Sequence, residues 1–323
     1  MRFPPLGPGE FSLPVVVITG GWSRERDRAL LSGTTVNDAL TSMGVKTRFV
    51  DLDDGREILL NSLDGVEAAF LAIAGRGAED GRLQGLLETL GVPYTGSGVL
   101  ASAVGMNKQS AKAVVAAAGV RVAGGARIDL SADANTEAIL ITHLLGLPVI
   151  VKPVSEGGSI GLQVAATTEE LALAVAAAEV ESMAEAFHAG RSVSVGVLDD
   201  GTGAVYVLPP LEAETWNGIY SYAAKHGTAQ CAYYCPARVT GEVLQNLKDQ
   251  AVAAHRALYC HSYSRHDFIV TDAGDAVWLE VNTLPGLSRS GNLARMAHED
   301  GIPYEQLLAH ILRGARTDRR AQV

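Results

Sequence analysis

Cysteine is scarce in this chain: 323 residues contain three, Cys231, Cys235 and Cys260. An odd, sparse set with no second metal-like pair argues against a disulfide framework and reads as ordinary reduced thiols. Aromatic residues make up only 6%, so a core has to be built mainly from Ala, Val and Leu. No apolar run reaches the roughly 18 residues that a membrane-spanning helix needs. The N-terminal MRFPPLGPGEFSLP is broken by proline and lacks the apolar stretch of a signal peptide, so a cytoplasmic protein with no membrane partner is expected. Basic residues are outnumbered 26 to 36, for a net charge of −10 and a pI near 5.3. That excludes a general nucleic-acid binder but leaves room for local cations on an anionic substrate. A phosphate-binding G-x-x-x-x-G-K-[ST] is also missing.

What is present begins with a βαβ pattern. Val15–Thr19 is a short apolar run ending in Gly20-Gly21, and Thr47–Asp51 reads as a second strand. Between them Ala29, Val36, Ala39 and Leu40 share one side of a predicted helix ending near Gly44. Ala69–Ile73 reads as a third strand, and Leu83, Leu86, Leu87 and Leu90 as the face of a helix stopped by Gly91. Residues 13–108 therefore read as a small doubly wound α/β unit. Gly96–Ala101 fits G-x-G-x-x-G/A, yet comes too late for the first strand–helix turn, which argues against a nicotinamide site.

Asn107 is placed to cap a helix with Ala111, Val114, Val115 and Ala118 on one face. Lys108 in its first turn opposes the helix dipole, which makes sense where lysine and helix amides share an anion; the alternative is a solvated surface lysine. Lys152 interrupts the apolar strand Leu147–Pro153, and a lysine so embedded is seldom kept without a partner. The small, flexible Ser155–Gly161 follows, suited to wrapping phosphate oxygens with backbone amides. Its G-x-S-x-G would make Ser159 a hydrolase nucleophile, but Leu162–Ala166 reads as a strand where that elbow needs a helix, so a β-hairpin with a glycine loop fits better. Glu169–Ala178 reads as a helix, after which Met183–Phe187 and Ser192–Leu198 resume the sheet. Glu185 at a strand end suits an adenine-like amino group, or a plain surface position. A third unit holds Val205–Leu208, the polar and aromatic loop 216–226, the helix Gly241–Leu258 and a hairpin; the tail after Gly314, with Arg316, Arg319 and Arg320, reads as a frayed end.

That hairpin, Arg265–Thr271 and Ala276–Asn282 around Asp272–Asp275, carries the sharpest chemical signal. With the tetrad as the loop, Thr271 faces Ala276, Asp267 faces Glu280 and Arg265 faces Asn282; Phe268 and Val270 then share the core face with Val277, Leu279 and Val281. Two opposed carboxylates repel and call for a cation between them. Converging Asp, Glu and Asn oxygens suit Mg²⁺, which keeps few protein ligands and shares the rest with phosphate and water. The bland alternative is an exposed polar face.

Together these stretches resemble the D-alanine–D-alanine ligases of the ATP-grasp superfamily, over about residues 14–313. The specific pieces are GRGAEDGRLQGLLETLGVPYTGSGVLASAVGMNK (75–108), VIVKPVSEGGSIG (149–161), YSYAAK (220–225) and LEVNTLPGLS (279–288). The resemblance implies an α/β, three-domain ATP-grasp fold, with an N-terminal α/β substrate domain (13–108), a central domain (109–200) and a C-terminal metal-bearing domain (201–314). It implies a cytoplasmic homodimer that joins the carboxylate of one amino-acid-like substrate to the amine of another through an acyl phosphate, using ATP and two Mg²⁺ ions. By motif, Lys108, Lys152 and Lys225 would hold ATP phosphates with the loop glycines Gly157 and Gly158. Glu185 and the hinge residue Phe187 would meet the adenine. Asp267, Glu280 and Asn282 would bind the metals. Arg265, Glu25, Ser159 and Lys225 would be the catalytic groups, with Arg265 on the developing anion and Glu25 gripping the first substrate's ammonium.

The departures from the family pattern cluster at the substrate. The histidine preceding its G-R-G-G-E-D-G is Ala74, the first serine of its loop is Gly158, and the aromatic residue after the loop lysine is His226. The M-T-S-H-S-L after N-T-x-P-G becomes Leu287–Asn292, which removes a serine expected on the second substrate's carboxylate and an apolar pocket residue. Ser192 replaces an acidic residue expected at the ribose. Gly286, Arg289 and Ser290 join His226 as candidate substrate contacts, Arg289 as a bidentate carboxylate ligand or as a surface arginine. The departures favour a specialised ligase over the housekeeping D-alanyl-D-alanine enzyme. A non-catalytic nucleotide- or amino-acid-binding regulator is the alternative of another class, and the full set of charged residues speaks against it.

Overall fold

Val15, Val16, Val17 and Ile18 are fully buried in β1 (Val15–Thr19), a central strand with both faces covered. The computed structural model describes residues 3–158, 161–215 and 231–317. β1 pairs in parallel with β2 (Thr47–Asp51) and β3 (Ala68–Leu71), giving the order β2-β1-β3. Helix α1 (Arg26–Ser42) lays Ala29, Gly33, Val36 and Leu40 on that sheet. Gly33 is required by closeness, since a Cβ there would collide with the Thr19 side chain. Short α2 (Arg56–Ser62) and α3 (Arg82–Leu90) complete this layer. Leu83 and Leu87 of α3 are buried, whereas Leu90 is exposed at the helix end.

α4 (Val99–Met106) and α5 (Lys108–Ala117) lead to a second sheet. Asn107 caps α5, its Oδ1 accepting from Ser110 N at 2.9 Å. The buried stripe of α5 is Lys108, Ala111, Lys112 and Val115, with Ala118 exposed beyond the helix. The second sheet has the order β4-β7-β5-β6: β4 (Gly125–Arg127), β7 (Ser182–Ala186), β5 (Val149–Pro153) and β6 (Gln163–Ala165). β5 and β6 are antiparallel, the expected hairpin. α6 (Ala134–Leu145) and α7 (Thr168–Ala176) cover one face with a small aliphatic core.

The third sheet runs β11-β10-β8-β12-β13, with β9 (Val205–Val207) also on β8. Its strands are β8 (Arg191–Asp199), β10 (Leu211–Thr215), β11 (Cys231–Tyr234), β12 (Tyr263–Val270) and β13 (Ala276–Asn282). Ser192–Leu198 therefore does not resume the central sheet, as the sequence reading expects; it pairs with β12 and β10. Adjacent strands along the chain need not be sheet neighbours, and a valine-rich strand fits either core. α8 (Gly241–Ala257) packs beneath, burying Leu247, Ala251 and Ala254. α9 (Asn292–Glu299) and α10 (Tyr304–Arg313) return to the first sheet's core. Arg316 is not frayed: it exchanges two backbone hydrogen bonds of 3.1 Å with Tyr94. No described helix is long and apolar enough to cross a membrane.

Candidate active site

The β12–β13 hairpin pairs Asp267 with Glu280 and Arg265 with Asn282, the register read from the sequence. It reaches that register differently. Val270, not Thr271, faces Ala276, so the turn is longer by one residue, and a β-bulge between Asp267 and Phe268 restores the pairing. The bulge sets Trp278 opposite Phe268 in the core and leaves Leu279 half-buried at the cleft described below, correcting its expected place on the core face. Each opposed carboxylate has its own cation. Arg265 grips Asp267 through two hydrogen bonds of 2.9 Å, and Lys108 Nζ lies 3.2 Å from Glu280 Oε2. Ser194 on β8 donates to Asp267 Oδ1 at 2.6 Å.

Between the second and third sheets lies a cleft with Lys108, Lys152, Glu185, Asp267 and Glu280 in its lining. Ile150, Leu162, Phe187, Ile269 and Leu279 supply its apolar walls, and Ser192 and His188 are at its edge. Apolar walls combined with a few convergent charged groups suit a nucleotide. Glu185 is almost wholly buried, and its Oε2 is 2.9 Å from Lys112 Nζ and 3.0 Å from Lys152 Nζ. Burial alone would raise its pKa; the two ammonium groups outweigh that and hold it below the usual carboxylate value. Burial pushes Lys112 down to about 8 despite the attraction of Glu185. The Lys112 ammonium also donates to Trp278 O at 3.3 Å. Glu185 is thus a buried ion-pair hub as well as a cleft residue, not a surface carboxylate.

A second, smaller cavity shares Lys108, Glu156 and Glu280 with the cleft. Glu25, Arg265, Asn282, Gly157 and Gly158 line it, which gathers five of the sequence-predicted residues in one place. Lys108 Nζ donates to Glu156 O at 2.5 Å, tying the glycine loop to the shared wall. Glu79, also in this cavity, is fully buried; burial and the neighbouring Glu25 raise its pKa to about 8. Gly286 flanks an adjoining pocket with Glu25. Arg289 and Ser290 do not line either cavity. Arg289 instead pairs with Glu305 at 2.7 Å and stacks over the Tyr304 ring. Ser159, Lys225 and His226 lie outside the described residues.

Sequence reasoning missed Lys112, Glu79, Arg28 and Asn292. Lys112 was detectable, since it stands four residues after Lys108 on the same buried helical stripe. Glu79 sits inside a quoted motif without a role. Arg28 and Asn292 carry no local signal, because only the meeting of α1 and α9 with the hairpin end brings them to one cavity.

The oxygens available for a metal are those of Asp267, Glu280 and Asn282. Among the described residues no cluster of three or more His, Cys, Asp or Glu side chains forms a metal site. Two carboxylates and an amide oxygen along the seam between the cleft and the second cavity are a hard donor set that fits Mg²⁺ completed by phosphate and water, and does not fit a metal caged wholly by protein.

Comparison with known proteins agrees with this architecture. The family model described as "D-ala D-ala ligase C-terminus" matches residues 114–313. The D-alanine–D-alanine ligase of Geobacter sulfurreducens is 39% identical over 308 residues, 92% of each chain. That of Geotalea uraniireducens is 40% identical, covering 93% of this chain and 94% of the relative. Among solved structures, the Bacillus anthracis D-alanine–D-alanine ligase complexed with ATP superposes with a TM-score of 0.78 at 26% identity, over 94% of this chain and 97% of that one. The VanG D-Ala:D-Ser ligase of Enterococcus faecalis gives 0.80 at 25% identity, over 93% and 98%. A hairpin of opposed, cation-paired carboxylates beside a charged cleft, with this breadth of likeness, settles the membership: the chain belongs to the D-alanine–D-alanine ligase family of ATP-grasp enzymes, ATP-dependent ligases that form carbon–nitrogen bonds.

Proposed function

We propose that the protein uses Mg-ATP to activate one amino-acid carboxylate as an acyl phosphate and joins it to a second substrate's amine, making an amide or dipeptide in specialised metabolism. The observation that carries this reading is the shared wall of the two cavities: Lys108 and Glu280 belong to both. A γ-phosphoryl group in the cleft and a carboxylate in the cavity then meet at one charged seam. A carboxylate oxygen attacks the γ-phosphorus and ADP leaves. The second substrate's ammonium loses one proton to solvent, its amine nitrogen attacks the acyl carbon, and phosphate leaves carrying the second proton from that nitrogen.

Lys108 and Lys152 neutralise phosphate oxygens, and Lys225 joins them by resemblance. Asp267, Glu280 and Asn282 would hold Mg²⁺, two ions by resemblance, which when bound supplies further neutralisation of phosphate charge. Arg265, positioned by its two bonds to Asp267, faces the cavity where negative charge develops on the carbonyl oxygen. Glu25 holds the first substrate's ammonium. The glycine loop, held by Lys108, excludes water from the acyl phosphate. A cytoplasmic homodimer acting on small amino-acid-like substrates fits the family.

The housekeeping joining of two D-alanines is the second reading. It is favoured by the curated relatives, D-alanine–D-alanine ligases at 39% and 40% identity over nearly the whole chain. ADP release measured against a panel of D- and L-amino acids decides between them: turnover confined to D-alanine ends the specialised reading. Binding of Mg-ATP without any substrate-dependent ADP release would instead indicate a regulator.

A further inference from the structure

The cavity beside the glycine loop is lined mainly by charged and polar groups, with Met106 and Val281 among its apolar side chains. Arg28 and Asn292 line it together with Glu25, Glu79 and Arg265. Arg28 projects from α1 one turn beyond Glu25, with its Nη1 3.6 Å from Glu25 Oε1. It also borders the adjoining pocket, on the side of Gly286. Asn292, the first residue of α9, comes from the far end of the chain to the same cavity.

The charge balance makes Arg28 informative. An amino-acid donor places its ammonium on Glu25 and its reacting carboxylate at the Lys108–Glu280 seam. Glu79, the other buried acid here, has its pKa raised to about 8 by burial and by Glu25, which makes it a weaker counter-charge than Glu25. Glu280 already faces Lys108, so ammonium and the Arg28 guanidinium compete for Glu25, an unfavourable arrangement in a partly desolvated site. A donor that carries a second anion removes the conflict, because its side chain meets the guanidinium while its ammonium keeps Glu25. Guanidinium presents a fork matched to carboxylate, and the Asn292 amide adds neutral hydrogen-bonding capacity to the same cavity.

We propose that Arg28, with Asn292 in the same cavity, selects a donor amino acid with a carboxylate-bearing side chain. This rests on the ligase reading above. The test measures ADP release with Mg-ATP for alanine, serine, aspartate and glutamate of both hands as donors, alone and with D-alanine as acceptor, in the wild type, Arg28→Val and Arg28→Lys. The wild type is expected to favour one acidic donor over alanine at least tenfold in kcat/KM. Arg28→Val should erase that preference, mainly by raising KM for the acidic donor, and Arg28→Lys should restore part of it. Equal or better use of alanine by the wild type, with a ranking unchanged in Arg28→Val, overturns the proposal and leaves the ligase reading intact. No stimulation by any donor ends both.

Discussion

Two buried glutamates, Glu185 in the nucleotide cleft and Glu79 in the amino-acid cavity, have opposite electrostatic fates. Both are almost fully withdrawn from solvent. Glu185 lies within 3.0 Å of two ammonium groups and its pKa falls; Glu79 faces Glu25 and its pKa rises to about 8. The difference is one of neighbours, not of burial. The cleft is built from regular elements, α5, β5, β7 and β13, whose lysines and carboxylates neutralise one another before any ligand arrives. The cavity is assembled from the ends of elements and from loops, and sets Glu79 close enough to Glu25 that its proton is held more tightly. A phosphate site can be pre-neutralised and general; a site that discriminates side chains depends on a few groups that change readily.

The largest expected effect follows from breaking the cleft's hub. Glu185→Ala strands Lys112 and Lys152 in a nearly closed space, and should cost about 3–5 kcal/mol of stability, read as denaturant unfolding, together with ATP affinity. An unchanged unfolding midpoint would mean that water reaches these lysines freely. Next comes the seam. Glu280→Gln removes the charge shared by both cavities and leaves Lys108 short of a partner, so kcat should fall by roughly 10²–10³ with the fold retained. A loss confined to KM for ATP would place Glu280 in nucleotide binding alone.

The cavity should respond without loss of fold. A Cβ at Gly157 would collide with the Glu25 carboxylate, a flexible tip that can move aside. Gly157→Ala is therefore expected to leave stability within about 0.5 kcal/mol of the wild type. It should raise the amino-acid KM about tenfold, as a cost of roughly 1.4 kcal/mol would; a wild-type KM would show that Glu25 does not meet the substrate.

Glu79 gives a signal that is read only in the pH dependence of stability. Its folded pKa of about 8 exceeds the 4.5 of the unfolded group, so between those values the folded state holds more protons. The stability contributed by its proton is complete below pH 4.5 and is lost as pH rises through about 8. That loss approaches about 1.4 kcal/mol per pH unit inside the window. Glu79→Gln should flatten this part of the pH–stability curve, whereas an unaltered slope would assign it to other groups.

Much of the cleft was legible because its signals are local. Lys152 stands out in an apolar strand, Asn107 announces the helix that carries Lys108, and Asp267, Glu280 and Asn282 fall on one side of a hairpin. Even there the route was misread: the turn is one residue longer than the tetrad suggests, and a bulge, invisible in the alternation of residues, restores the pairing. Arg289 looked like a substrate ligand because the chain beyond the hairpin is altered, yet Tyr304 and Glu305 on α10 take it away. Ser192–Leu198 was assigned to the wrong sheet because pattern shows that a strand is buried, not which strand it joins.

The sequence by itself determined the elements, the charged hairpin and the lysines that serve it, since periodicity of two or 3.6 and turn chemistry act over a few residues. Only the tertiary structure decided which groups meet. Lys112 is fixed to Glu185 across 73 positions of chain, and Arg28 and Asn292 reach one cavity from opposite ends of the molecule. Such meetings are set by how sheets and helices pack, and the charge state of a buried carboxylate follows from them.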